Sequence, residues 1–197
     1  MAPRQHVEAS PRTARAIARD LRVAVHDVAH RPGTIRHLER EARAPALAAG
    51  TVGIPEGAPI DLDLRLEGVG KGVVVEGFVS GAWVAECSRC LTAVTGPFSV
   101  EVHELFEEQP IESETYRLEG EEIDLEPMVR DAVLLEIPPA PLCSDDCAGL
   151  CPTCGVDRNV ASCDCTTESP DPRWAALGDL AFDPPTTDAR ARTASDS

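Results

Sequence analysis

Lysine is all but missing from this chain. Lys71 is the single one, so the positive charge is carried by arginine, and 18 basic residues face 34 acidic ones for a formal net charge of -16 and a pI near 4.6. Phosphate binding rests on clustered Lys and Arg, so this balance argues against a protein that holds nucleic acid by its own charge. Contact with RNA is expected to run through a protein partner, and the acidic stretch from Glu101 to Asp131 would suit a basic one, although a solvated charged surface is the plainer reading of that stretch. Apolar runs long enough to cross a membrane are absent, as is an apolar leader core near the N-terminus, and the expectation is a cytoplasmic protein without a membrane role. Catalytic spacing is missing as well. His6, His26, His30, His37 and His103 are scattered, and His103-Glu104-Leu-Phe-Glu107 lacks the second histidine of a metalloprotease helix. Gly68-Val-Gly-Lys-Gly72 leads into Val73-Val-Val75 rather than a Ser or Thr at a helix start, so it reads as a turn and not a phosphate loop. No small-molecule substrate is suggested.

What the chain does have is cysteine: eight residues, six of them between Cys143 and Cys165. Cys151-Pro-Thr-Cys154-Gly155 places two thiolates at the spacing that grips one tetrahedral metal, with a glycine behind to let the backbone turn. Cys87-Ser-Arg-Cys90 repeats the spacing far upstream. Eight thiolates make two four-sulfur sites, and chain economy divides them. Cys151, Cys154, Cys163 and Cys165 can close locally, which leaves Cys87, Cys90, Cys143 and Cys147 for the other. Two structural Zn²⁺ ions are expected, zinc being preferred to iron because nothing suggests a redox role. Disulfides are the competing reading of an even cysteine count, though this chain is larger than the usual disulfide scaffold. A reactive dithiol at Cys87 and Cys90, in a thiol-dependent hydrolase or an oxidoreductase helped by Arg89, is another. A zinc-ribbon module that binds nucleic acid is a third, against which the charge weighs.

Periodicity gives an α+β fold: a curled antiparallel sheet of roughly five or six strands, or a small barrel, with a packed helix and a Cys-rich zinc-knuckle segment. Leu21, Val23 and Val25 alternate as a short strand, and Leu62, Leu64 and Leu66 alternate with charges in the cleanest strand of the chain. A hairpin at Gly68–Gly72 leads into Val73–Val79, Ala82–Glu86 carries a further strand into Cys87, and Phe98, Val100 and Val102 follow the first CxxC. Ile35 and Leu38, three apart in a charged run, predict a short surface helix over Ile35–Ala42. Ala44–Pro59 reads as a connection with one edge strand, and Glu107–Glu122 as an exposed acidic excursion. Asp124 can cap a helix whose inward stripe is Leu125, Met128, Val129 and Ala132, ending near Ile137 before Pro138-Pro139. Asp171–Leu180 reads as a short capped helix. The organisation expected is a tail over residues 1–16, an α+β core over 17–141 with the first CxxC, a metal-binding segment with the short helix over 142–182, and a tail over 183–197.

The chain resembles the bacterial large ribosomal RNA subunit accumulation protein family, the YceD-like proteins. The residues that carry the likeness are Glu86-Cys-Ser-Arg-Cys-Leu91 after a strand, the Ile123–Leu135 helix, Pro141-Leu-Cys143, Gly149-Leu-Cys-Pro-Thr-Cys-Gly155 and Asp171-Pro-Arg-Trp-Ala-Ala-Leu177, together covering about Leu21 to Leu180. The resemblance implies a non-enzymatic factor in the synthesis, processing or accumulation of large-subunit ribosomal RNA precursor. A ribosome-assembly or ribosomal protein is then the expected partner.

Overall fold

The computed structural model describes residues 16–17, 19–112, 114–165 and Arg173 of the 197-residue chain. Among them are nine strands: β1 (Arg22–Ala24), β2 (Ile35–Arg43), β3 (Leu47–Ala49), β4 (Val52–Ile54), β5 (Pro59–Val69), β6 (Gly72–Glu86), β7 (Ala93–Glu107), β8 (Tyr116–Glu119) and β9 (Glu122–Asp124), with the helix α1 (Glu126–Glu136) after them; residues 16–17 and 19–21, ahead of β1, are helical too. The expected C-terminal helix and the two tails lie outside the described residues, Arg173 and Ile17's neighbour at position 16 apart.

β6 is the axis. One of its edges pairs with β7 in unbroken register from Gly72↔Glu107 to Glu86↔Ala93. Its other edge is shared, β5 pairing with residues 72–81 and β4 with Ala85 and Val84. Ala82–Glu86 is thus the far half of one long strand rather than a strand of its own. β5 shows why these residues form a sheet: Ile60, Leu62, Leu64 and Leu66 are buried while Asp61 and Asp63 between them are exposed, so the two-residue repeat of the pleat sorts one leucine face onto the core. Phe98 and Val102 of β7 are buried and Val100 is half-buried on the same face. The sheet continues through β8, which pairs in parallel with the end of β7, and β9 to β1; all other strand pairs are antiparallel.

The sheet curls until its two outer strands, β1 and β2, come close, and side chains rather than backbone ladders bridge the seam. Arg36 of β2 donates to the Ala24 carbonyl of β1 at 2.8 Å and pairs with Asp27 at 2.7 Å, and Arg40 donates to the Asp20 carbonyl at 2.8 Å. Here the helix expected over Ile35–Ala42 proves to be a strand. It pairs with β5 from Ile35↔Glu67 to Arg43↔Pro59, and the half-buried positions are Arg36, Leu38 and Arg40, two apart. Ile35 is exposed, so the apolar pair three apart that suggested a helix does not share a buried face. The arginine stems cover the core while the guanidinium groups satisfy carbonyls, which lets a charged run face inward.

Two further segments differ from their sequence reading. Ala44–Pro59 holds the β3–β4 hairpin, with Leu47, Val52 and Ile54 buried. Glu107–Glu122 contributes β8 and the start of β9: Leu118 is buried, Tyr116 stacks on Phe106 with ring centroids 5.3 Å apart, and the buried Glu107 carboxylate accepts from the Thr115 hydroxyl at 2.9 Å. High acidity hid these few apolar anchors.

α1 packs on β7 and β3. The Asp124 carboxylate accepts from the Glu126 amide at 2.9 Å, Pro127 sits in the first turn, and Leu125, Met128, Val129 and Val133 are buried. Val133, outside the predicted stripe, takes the place given to Ala132, which is half-buried. Glu126 and Arg130 pair at 2.8 Å on the outer face. The helix stops at Ile137, whose extended backbone is what a following proline requires. The Pro138–Pro141 segment then runs back to the tip of the β6–β7 hairpin, where Ser88 donates to the Pro141 carbonyl at 2.9 Å.

Candidate metal centre

The reversal between β6 and β7 is a knuckle. Cys87 donates its amide to Thr92 at 2.8 Å and Leu91 donates to Cys87 at 3.0 Å, folding Cys87–Cys90 so that both sulfurs face one side. The proline segment brings Cys143 there, and a turn closed by the Cys147 amide on Ser144 brings Cys147. The sulfurs of Cys87, Cys90, Cys143 and Cys147 all lie within 4.8 Å of one another, with Cys87 to Cys147 at 3.8 Å and Cys90 to Cys143 at 3.5 Å. A disulfide would need about 2.05 Å. Thiolates around one tetrahedral ion, at a metal–sulfur distance of about 2.3 Å, would stand about 3.8 Å apart. The donor set therefore fits a metal, and all eight cysteines are free. Cys87, Cys90 and Cys147 are buried, packed with Val94, Leu142 and Leu150, and Cys143 is exposed.

The second cluster joins Cys151, Cys154, Cys163 and Cys165, again with all sulfurs within 4.8 Å of one another. Cys151 is buried, Cys163 and Cys165 are half-buried and Cys154 is exposed. These two groups are the division that chain economy gives. Each cluster could hold a metal ion.

Amide dipoles prepare one sulfur in each. The Cys87 thiol is lowered to about 6, first by the backbone N–H of Cys90 and then by that of Arg89; the Cys151 thiol is lowered to about 5 by those of Cys154 and Thr153. Two other thiols are pushed the opposite way: Cys143 is raised to about 12 by hydrogen bonding with Cys147 and Cys90, and Cys165 to about 12 by hydrogen bonding with Cys154. Four sulfurs this close cannot all ionise without a cation among them, and a divalent ion would supply that charge. Beside the second cluster, the Arg158 guanidinium is held further in its charged form by hydrogen bonding to Cys151.

Sequence reasoning missed the residues that join the clusters. Arg89, considered as a helper for thiol chemistry, instead donates to the Cys147 carbonyl at 3.0 Å, while its own carbonyl accepts from Leu150 at 3.0 Å. Gly149 has φ of 70°, and a Cβ there would lie 3.2 Å from both Cβ and the carbonyl oxygen of Arg89, so the close approach requires glycine. Asn159, in the loop between Cys154 and Cys163, accepts from the Ala148 amide at 2.8 Å and directs its Nδ2 at the Cys147 sulfur, 3.5 Å away. The Asp157-Arg-Asn159 pattern, able to form an Asx turn, was the only available signal. Cys87 is fully buried and is followed by a turn and β7, not by the helix that an activating dithiol site uses. Of the histidines, His103 lies 4.0 Å from Glu76 and His30 lies 3.9 Å from Glu108, all on exposed or half-exposed positions away from the sulfurs' packing group.

No helix among the described residues is long and apolar enough to cross a membrane. The family described as large ribosomal RNA subunit accumulation protein YceD matches residues 75–181, the part that holds most of β6 and all of β7, α1 and the eight cysteines. An uncharacterized protein of Mycobacterium tuberculosis (strain H37Rv) is 40% identical over 185 residues, covering 90% of this chain and 87% of that one. The uncharacterized protein YlbN of Bacillus subtilis is 32% identical over 128 residues, 62% of this chain and 74% of its own. The chloroplastic large ribosomal RNA subunit accumulation protein YCED homolog 1 of Arabidopsis thaliana is 25% identical over 159 residues, 64% of this chain and 50% of that one. No solved structure matches significantly. By the family match, which spans more than half of the chain, this chain belongs to the large ribosomal RNA subunit accumulation protein (YceD) family.

Proposed function

We propose that this protein is a non-enzymatic, cytoplasmic factor that supports the synthesis, processing or accumulation of large-subunit ribosomal RNA precursor, acting through a basic ribosomal or assembly protein rather than by gripping RNA. Two Zn²⁺ ions belong to the reading, one held by Cys87, Cys90, Cys143 and Cys147 and one by Cys151, Cys154, Cys163 and Cys165. Zinc would supply cross-linking and charge neutralisation, its usual part where all four positions are protein sulfur. The observation that carries the structural reading is the first cluster itself: four sulfurs, three of them buried, tie the tip of the β6–β7 hairpin to the chain leaving α1. A catalytic ion keeps a position open for water or substrate, and a set of four sulfurs offers none. The net charge of -16 supports a basic protein partner, and the family name and the printed name of the Arabidopsis relative support the ribosomal RNA connection.

Depletion in a strain that encodes the protein tests the reading. Large-subunit ribosomal RNA should fall relative to small-subunit RNA, and the tagged protein should bring down large-subunit assembly proteins in a nuclease-resistant manner. Balanced ribosomal RNA after depletion would refute the function, and nuclease-sensitive recovery of those proteins would refute the route through protein. Elemental analysis of protein purified without added metal should give about two zinc per chain.

A further inference from the structure

The loop between Cys154 and Cys163 belongs to the second cluster by sequence, yet its central polar side chain serves the first. Asn159 is fixed by its own turn: its amide and its Nδ2 both donate to the Asp157 carboxylate, at 2.9 and 2.7 Å. Its Oδ1 accepts from Ala148 at 2.8 Å, so the side chain is clamped beside the residue that follows Cys147. The remaining Nδ2 hydrogen is available to the Cys147 sulfur at 3.5 Å. Backbone bonds hold the same joint, from Arg158 to Gly149 at 2.9 Å and from Leu150 to Arg89 at 3.0 Å.

We propose that Asn159 couples the two four-cysteine sites: set in the loop that the second site closes, it positions the Cys147 sulfur of the first, so that filling the second site tightens the first. This rests on the reading that both clusters hold a divalent metal. An N–H aimed at a thiolate stabilises its charged, ligating form, and partners of this kind orient a ligand without touching the ion. The loop's two ends are anchored at Cys154 and Cys163, so losing the second ion releases the segment that presents Asn159. By linkage, the first ion must tighten the second by the same factor.

The test uses the full-length protein loaded with ¹¹³Cd, each site giving its own resonance and Cys87→Ser identifying that of the first. Equilibrium competition with EDTA then measures each affinity. Asn159→Ala is expected to move the first-site resonance and weaken that site about tenfold, while in the Cys87→Ser background it leaves the second site's affinity unchanged. Asn159→Asp keeps the acceptor for Ala148 but loses the N–H, and should weaken the first site at least as much. Cys163→Ser, which breaks the second site, should weaken the first similarly, with no further loss when combined with Asn159→Ala. An unmoved resonance and unchanged affinity in both Asn159 variants would overturn the proposal, as would equal weakening by Cys163→Ser in the presence and absence of Asn159. Wild-type protein that takes up no cadmium would instead defeat the metal reading on which the coupling rests.

Discussion

Cys87-Ser-Arg-Cys90 and Cys151-Pro-Thr-Cys154 fold by the same hydrogen bonds. The residue after the second cysteine donates to the carbonyl of the first, Leu91 to Cys87 at 3.0 Å and Gly155 to Cys151 at 2.9 Å. The first cysteine donates to the carbonyl five residues on, Thr92 or Val156, at 2.8 Å in both. Both turns need a left-handed residue at that position, and it is Leu91 at φ 63° in one and Gly155 at φ 75° in the other. What differs is the origin of the other two sulfurs. The first knuckle sits at the end of a hairpin of two 15-residue strands and draws Cys143 and Cys147 from 53 and 60 residues along the chain, into a largely buried group. The second draws Cys163 and Cys165 from its own loop, and only Cys151 of its four is buried. One local turn thus serves a long-range clamp in one place and a small satellite in the other. Because the cost of closing a loop rises by about 0.6 kcal/mol for each doubling of its length, a metal held in the first site would restrict the chain more and should stabilise the fold more.

The most direct way to break this comparison is to remove one sulfur from each side. Cys87→Ser should release one zinc and destabilise the whole domain by about 4 kcal/mol or more, since it frees the sheet tip from the exit of α1. Cys163→Ser should also release one zinc but leave the sheet's thermal unfolding much closer to wild type. Metal analysis and calorimetry on the two variants decide it; equal losses of stability would mean that the clusters do not differ in weight.

A smaller loss is expected at the joint between the clusters. Gly149→Ala forces an L-residue into φ of 70° and brings its Cβ to 3.2 Å from Arg89, which should cost about 2 kcal/mol in chemical denaturation. Gly155→Ala isolates the backbone part, because a Cβ there meets nothing within 4 Å; about 1 kcal/mol is expected, together with weaker metal retention at the second site. Leu91→Asn sharpens the comparison from the other side. Leu91 is 58% exposed and carries the left-handed strain of a branched residue, whereas asparagine tolerates that conformation without glycine's added freedom in the unfolded state. A gain of roughly 0.5 kcal/mol is expected; a loss would show that the Leu91 side chain packs usefully in spite of its exposure.

The sequence by itself determined whatever depends on short-range spacing. Two residues between cysteines, followed by a position that can turn, define each knuckle. The short stretch from Cys151 to Cys165 lets one group of four close locally, and the alternation from Asp61 to Glu67 defines a one-faced strand. Pro138-Pro139 ends α1 because a proline's predecessor must be extended. Tertiary structure decided whatever depends on a partner remote in the chain. Ile35–Arg43 is a strand because β5 offers an edge and because carbonyls at Asp20 and Ala24 await its arginines, neither of which is written in the segment itself. Tyr116–Glu119 is drawn from an acidic stretch into the sheet because Phe106 and β7 are there to receive it. Asn159 reaches Cys147 only because Gly149 lets the two knuckles approach, a contact that spacing along the chain could not have revealed.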